Sequence, residues 1–142
     1  MSRINAPEIE TQQRVIEQLR GMGYHYLGNW EYRDNNRNVE EQHLRVYLQE
    51  AGYSGTLTDK AIRELKLAAE DSTSSLYQAN KEVYSLLRYG VNVRTQQGGK
   101  KEKVWLIDWA QPRNNQFAVA EEVTVKARST KRPDLVLYVN GI

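Results

Sequence analysis

The chain has 142 residues, a mass of 16.5 kDa and a formal net charge of +2, which is the size of one compact domain. It contains no cysteine and only two histidines, so disulfides, thiolate zinc sites, cysteine nucleophiles and multi-histidine metal sites are excluded. No apolar run approaches the roughly 20 residues of a membrane helix, and the amino terminus does not resemble a signal peptide, so we expect a soluble, cytoplasmic domain.

The first ninety residues are predicted to form helices. Pro7 and Glu8 are typical of a helix start, and this first helix is expected to end at Gly21–Gly23. Residues 24–32 look aromatic and irregular. Three more helices are expected over about 39–51, from about Thr58, and from the Ser72–Ser74 capping signal to Gly90. Their predicted inward-facing side chains are Leu44, Tyr47, Leu48, Ala51, Ile62, Leu65, Ala69, Leu76, Val83, Tyr84 and Leu87.

After Gly90 the apolar pattern changes to a period of two, which indicates strands. We expect strands over 91–95, 104–109, 117–127 and 135–139, with a Gly98–Gly99 turn after the first. In the third strand one face is predicted to carry Phe117, Val119, Glu121, Val123, Val125 and Ala127. Helices over about 8–90 and strands over about 91–142 predict an α+β or mixed α/β domain.

The sequence ends with a turn signal. Asn140-Gly141 after an apolar strand is typical of a tight hairpin, and Ile142 would begin the returning strand. We therefore expect residues 1–142 to be a fragment of a longer protein, cut inside a β-hairpin.

Asp134 is the only acidic residue at the mouth of the last apolar strand. A carboxylate there can bind a hard cation such as Mg²⁺, which prefers oxygen ligands. The alternative is that Asp134 only closes the turn before the strand.

The carboxyl-terminal part of the chain is basic. Residues 91–142 carry nine Lys and Arg against five Asp and Glu, which favours a polyanionic partner. Lys126, Arg128, Lys131 and Arg132 lie near Asp134 and are candidate DNA phosphate contacts, with a solvated surface as the alternative. For the Lys100–Lys103 cluster, beside the Gly-Gly turn, we prefer the solvated surface.

Three stretches together resemble a known family: Leu106-Ile107-Asp108-Trp109, Asn115-Gln116-Phe117 and Arg132-Pro133-Asp134-Leu135-Val136-Leu137-Tyr138-Val139-Asn140-Gly141. They are similar to the amino-terminal domain of type I restriction enzyme R subunits (HsdR). The first helix, with Glu8 and a Leu19-Arg20-Gly21-Met22-Gly23-Tyr24 ending, also fits. The resemblance covers about Glu8 to Ile142, and the stretch around Asp134 is its specific part.

The resemblance implies a PD-(D/E)xK nuclease, which cleaves double-stranded DNA with Mg²⁺. It also implies a restriction-endonuclease-like fold, in which a mixed β-sheet is flanked by helices. Asp134 matches the first metal-binding aspartate of the family. The family's Glu-x-Lys lies on the next strand of the hairpin and would follow Ile142, so we expect the isolated chain to be inactive. The resemblance also implies downstream ATP-driven motor domains, and modification (M) and specificity (S) subunits as partners.

Many nucleases of this superfamily add a glutamate from the first helix, which makes Glu8 a candidate catalytic residue. Glu8 shares a helix face with Gln12, Val15 and Leu19, whereas Glu10 lies on the solvent side. The alternative is that both glutamates only favour the helix start.

Two other readings of the chain stay open. One is a non-catalytic module that docks DNA or partner subunits through its basic part, and the other is a purely structural domain. No P-loop motif is present. The nine tyrosines and three tryptophans are scattered along the sequence, which favours core and amphipathic surface over a stacking platform for single strands.

Overall fold

The computed structural model describes residues 6–34, 36–71, 73–126 and 130–142. The chain forms two compact units, which we call the sheet unit (residues 1–38, 116–140 and 142) and the helical unit (residues 39–115 and 141). The elements in chain order are α1 (Ala6–Gly21), β1 (His25–Asn29), α2 (Glu41–Glu50), α3 (Gly55–Ala69), α4 (Leu76–Tyr89), β2 (Val91–Arg94), β3 (Lys101–Val104), a 3₁₀ helix (Pro112–Asn114), β4 (Phe117–Glu121), β5 (Val125–Lys126), β6 (Thr130–Lys131) and β7 (Leu135–Val139). This combination of helices with mixed and antiparallel sheets confirms the α+β class.

The sheet unit contains a mixed three-stranded sheet in the order β1-β4-β7. β1 runs parallel to β4, and β4 runs antiparallel to β7, with Val119 opposite Leu137. The core of this unit combines Trp30, Ala120, Val123 and Tyr138. The sheet therefore places the end of β4 beside the beginning of β7.

The prediction that residues 24–32 are irregular was wrong for β1. This strand has no clean alternation of buried and exposed residues, and its register with β4 shifts between Tyr26 and Gly28. It forms because β4 supplies a parallel partner, with His25 opposite Ala118. Tertiary pairing here overrides a weak local preference.

The predicted strand over 117–127 is broken at Glu122. Its φ of 52° is left-handed, a conformation that ends extended backbone and is unusual for a residue with a side chain. Beyond the break the chain forms β5, which pairs with β6. Val119, Glu121 and Val123 are buried as expected, and Ala127 lies outside the described residues.

The strand at 135–139 and the turn after it are confirmed. Asn140 and Gly141 have φ angles of 54° and 86°, as the primed two-residue hairpin turn requires. The N–H groups of Val139 and Ile142 each donate to the other's carbonyl at 3.0 Å. The Asn140 side chain is buried and accepts the N–H of Gln116 at 2.7 Å, which closes this end of the β4–β7 pair.

The helical unit confirms the other three predicted helices and the strand predicted over 91–95, observed as β2, which pairs antiparallel with β3. The caps lie elsewhere than predicted, because Ser54 and Ser75 accept the N–H groups of Leu57 and Gln78 at 3.2 Å each. Its fully buried apolar side chains include Leu44, Leu48, Ile62, Leu65, Val91, Val104 and Leu106.

Four side chains of these helices that were expected inside are exposed instead: Ala51, Ala69, Leu76 and Tyr84. The difference is largest on α4, where Leu76 is 62% and Tyr84 60% exposed. Its buried residue is Ala79, with Val83 and Leu86 partly covered. The apolar residues of α4 surround more of the helix than its neighbours cover. The periodicity of the sequence alone therefore did not identify which of these residues are buried.

The predicted strand over 104–109 ends at its first residue, because β3 stops at Val104. Asn115 accepts the N–H of Asp108 at 2.8 Å and donates to its carbonyl at 3.0 Å. The Asp108 carboxylate accepts the Gln111 N–H at 2.8 Å. These bonds between side chains and backbone compete with strand pairing, so the apolar run forms a loop with Leu106 buried.

Within the described ranges, no helix is long and apolar enough to cross a membrane.

Candidate active site

Carboxylates gather where β4 ends and β7 begins. The Glu122 N–H donates to the Asp134 carbonyl at 2.8 Å, one step beyond the pairing of Glu121 with Leu135. Asp134 is exposed, whereas Glu121 and Glu122 are buried. The site therefore combines one carboxylate open to solvent with two that are covered.

Glu121 accepts hydrogen bonds from three side chains. Gln12 and Gln13 of α1 donate to its Oε2 at 2.7 Å and 3.3 Å, and the Tyr26 hydroxyl donates to its Oε1. Burial, together with this bond to the carboxylate, raises the pKa of Tyr26 to about 12. Glu121 thus links α1 and β1 to the end of β4 through charge-assisted hydrogen bonds.

Glu122 is 1% exposed, and hydrogen bonds and ion pairs satisfy only part of its carboxylate. Gln12 donates to its Oε1 at 3.5 Å. Its Oε2 lies 3.3 Å from Nε of Arg132, without hydrogen-bond geometry to any described residue. Burial raises the pKa of Glu122, against the opposing effects of Gln12 and Arg132, and the negative charges of Asp134 and Glu31 raise it further.

A cavity of about 240 Å³ opens beside these groups. It is lined by Ile9, Gln12, Gln13, Asn29, Glu31, Glu121 and Glu122. The cavity therefore brings one face of α1 together with the ends of β1 and β4, at the acidic edge of the sheet.

Residues 5–142 match the family HSDR_N, the type I restriction enzyme R protein N terminus. The chain belongs to this family. No curated protein matches the chain. The HSDR_N match confirms the resemblance that the stretch around Asp134 carries, and it indicates the amino-terminal region of a restriction enzyme R subunit.

Asp134, in the Arg-Pro-Asp stretch that resembles the HSDR_N family, lies directly before β7. Glu8 is exposed in the first turn of α1, one turn before Gln12 and therefore on the same side of the helix. The structure brings Gln12 into contact with the carboxylates. Glu10 is exposed as well, so the assignment of a role to Glu8 stays a prediction.

Of the four basic residues predicted to contact DNA, Arg132 is the one whose side chain is described. Its guanidinium pairs with Glu31 at 2.9 Å and approaches Glu122 at 3.3 Å. Lys126 and Lys131 lie in β5 and β6, but their side chains are outside the described part of the structure, as is the whole of Arg128. The geometry therefore gives Arg132 an ion-pairing role with Glu31 and Glu122.

The site fits Mg²⁺ in the type of its donors. Asp134 and Glu122 offer carboxylate oxygens, and proteins often hold Mg²⁺ with one or two carboxylates while the ion keeps several waters. Among the described residues, no three His, Asp or Glu side chains are grouped so that they could hold a metal ion. Of these two carboxylates, that of Asp134 is open to solvent, whereas that of Glu122 is buried against Arg132.

Sequence reasoning missed the central groups of this cluster: Gln12, Tyr26, Glu31 and Glu122. It placed Glu121 on the apolar face of a strand without drawing a functional conclusion. A carboxylate on a face that is otherwise buried is itself a signal, since buried charges need partners. Two consecutive glutamates at the end of an apolar strand carry that signal here.

Proposed function

We propose that this chain is part of the DNA-cleaving domain of a type I restriction enzyme R subunit, with Asp134 as a ligand for Mg²⁺. The observation that carries the proposal is the position of Asp134, exposed at the start of β7 and hydrogen-bonded through its carbonyl to Glu122. The HSDR_N match over residues 5–142 supports the same assignment.

In this proposal the metal ion supplies neutralisation of phosphate charge and a nucleophilic water at neutral pH. Asp134 would hold the ion. Gln12 donates a hydrogen bond to Glu122, and Arg132 forms an ion pair with it. Glu8 lies on the same face of α1 as Gln12 and assists catalysis from the solvent-exposed side of the site.

The chain by itself does not cleave DNA in this proposal. The eight residues after Asp134 contain neither glutamate nor lysine. They lack the Glu-x-Lys whose carboxylate and ammonium the family resemblance assigns to metal binding and water activation.

The proposed substrate is double-stranded DNA, and the proposed partners are the modification and specificity subunits. Motor domains elsewhere in the R subunit would use ATP to move the DNA before cleavage. Such a reaction takes place in the cytoplasm, where the DNA of a restricting cell is found.

Metal binding to the isolated chain tests the role of Asp134. Mn²⁺, used as a spectroscopic substitute for Mg²⁺, is titrated by electron paramagnetic resonance into wild type, Asp134→Asn and the control Asp34→Asn. Asp34 is also exposed and lies in the same unit. We expect Asp134→Asn to weaken binding about tenfold, a loss of about 1.4 kcal/mol, and Asp34→Asn to leave it unchanged. Equal binding by all three proteins would contradict the metal-ligand role.

Cleavage tests the second half of the proposal. A supercoiled plasmid incubated with the 142-residue chain and Mg²⁺ should stay intact. Mg²⁺-dependent nicking that Asp134→Ala abolishes would refute the inactivity of the chain. In the full-length R subunit, assembled with its partners, Asp134→Ala should abolish cleavage and leave ATP hydrolysis unchanged.

A further inference from the structure

Four exposed side chains form a stripe along α4, and we call this set the α4 stripe: Tyr77, Lys81, Tyr84 and Arg88. Steps of four, three and four residues keep them on one side of the helix, opposite the buried residue Ala79. The two tyrosines are 71% and 60% exposed. The stripe thus alternates an aromatic ring with a cation at each turn.

The carboxyl-terminal end of the α4 stripe is held by stacking. The Trp109 indole N–H donates to the Leu87 carbonyl at 2.9 Å, which anchors the ring against the helix end. The Arg88 guanidinium lies 5.2 Å from the Trp109 ring centroid and 5.8 Å from that of Tyr89, within cation–π range. Trp109 is still 47% exposed, so an anchored ring and an ordered cation face solvent together.

The charged side chains of the stripe are both cations. The acidic residue of α4, Glu82, is not part of the stripe and lines a groove with Glu64 of α3, and Lys81 borders the same groove. A partner that complements the stripe therefore carries negative charge and presents flat faces to the rings.

We infer that the α4 stripe and Trp109 bind single-stranded nucleic acid. Bases stack on the exposed rings, and phosphates contact Lys81 and Arg88, which is the combination that sequence-tolerant single-strand binding uses. Tyr77 and Tyr84 are separated by about 10 Å along the helix, about the length of three stacked nucleotides. This surface lies in the helical unit and does not depend on the role proposed for Asp134.

The composition of the stripe favours a single strand over two other partners. A duplex keeps its base faces stacked inside, so exposed rings gain little from it. An apolar protein surface would be matched by aliphatic side chains, and the stripe contains none. Unpaired bases and phosphates match both of its residue types.

Fluorescence anisotropy with a labelled oligothymidylate of about 15 nucleotides at low salt tests the inference. We expect Tyr84→Ala to weaken binding about tenfold, Tyr84→Phe to retain it, and Lys81→Gln to reduce its salt dependence. Tyr32→Ala is the matched control, because Tyr32 is 81% exposed and lies in the sheet unit. It should bind like wild type, as should Asp134→Asn, which separates this inference from the proposed nuclease role.

Four outcomes would overturn the inference. They are an absence of binding by wild type, full affinity in Tyr84→Ala, an equal or higher affinity for a duplex of the same length, and competition by polyglutamate that depends on Tyr84. The last result would identify the surface as a site for an acidic polypeptide. Quenching of tryptophan fluorescence on binding that is retained in Tyr84→Phe and lost in Trp109→Phe would support stacking directly.

Discussion

The backbone N–H of Glu122 donates a hydrogen bond to the carbonyl of Asp134 at 2.8 Å. This backbone bond follows the last pair of the β4–β7 ladder and connects Glu122, whose carboxylate is buried, with Asp134, whose side chain is exposed. The left-handed backbone of Glu122 turns the chain out of β4 at the same point. The arrangement places the negative charge of Asp134 close enough to raise the pKa of Glu122, in addition to the larger effect of burial.

Glu122→Gln should change how stability depends on pH. The pKa of Glu122 is raised above its ordinary value of 4.5 in the folded protein, so its protonated form contributes stability that is present below that value and is lost as pH rises through the folded pKa. Wild type should therefore lose stability relative to Glu122→Gln as the pH rises from the ordinary pKa of 4.5 through the raised pKa of the folded state, measured by thermal unfolding. Glu10→Gln, an exposed change on α1, is the control, and a pH-independent difference for Glu122→Gln would contradict the prediction.

Tyr26→Phe should destabilise the sheet unit, because it removes a donor to the buried carboxylate of Glu121. The expected loss is about 1–2 kcal/mol, since Gln12 and Gln13 still donate to the same group. Urea unfolding at neutral pH measures this loss. At that pH the Tyr26 hydroxyl is protonated, because its pKa is raised to about 12. Tyr32→Phe should change stability by less than about 0.5 kcal/mol, and equal effects of the two changes would argue against the Glu121 contact.

Arg132 and Glu122 should be energetically coupled. Removal of the guanidinium leaves the buried Glu122 carboxylate, and the nearby Glu31, without this cation. Arg132→Gln should cost about 1–2 kcal/mol, and most of that cost should disappear in the Glu122→Gln background. A double-mutant cycle of unfolding free energies measures the coupling. Strictly additive effects would show that Arg132 is free for another role, such as a phosphate contact.

Gly141→Ala should be far more damaging than Gly98→Ala. Both glycines have positive φ angles, 86° and 76°, so both substitutions incur a backbone cost of about 1 kcal/mol. At Gly141 a Cβ would also lie 2.6 Å from the Glu40 carbonyl oxygen and 2.8 Å from the Leu44 nitrogen, whereas at Gly98 nothing lies within 4 Å. We therefore expect Gly141→Ala to lower the free energy of unfolding by about 1–3 kcal/mol more than Gly98→Ala, measured by thermal unfolding. Similar melting temperatures for the two variants would contradict the close approach at Gly141.

Local signals in the sequence were sufficient for several features of this protein. The four helices, the strand at 135–139, the Asn140-Gly141 turn and the stretch around Asp134 that carries the family resemblance were all found from the residues. Each depends on interactions between residues close in the chain, such as the positive φ angles at the turn and helical spacing of apolar residues. Asp134 was placed correctly at the mouth of its strand for the same reason.

Only the tertiary structure decided which side chains meet. β1 forms because β4 pairs with it, and Glu121 is reached by Gln12 and Tyr26 from elements 95 to 109 residues away in the chain. Tyr84 was expected inside and faces solvent, because the packing around α4 covers the side with Ala79. Amphipathic periodicity indicates that a helix has a buried face, but the shape of its neighbours selects which residues fill it, and no local pattern encodes that choice.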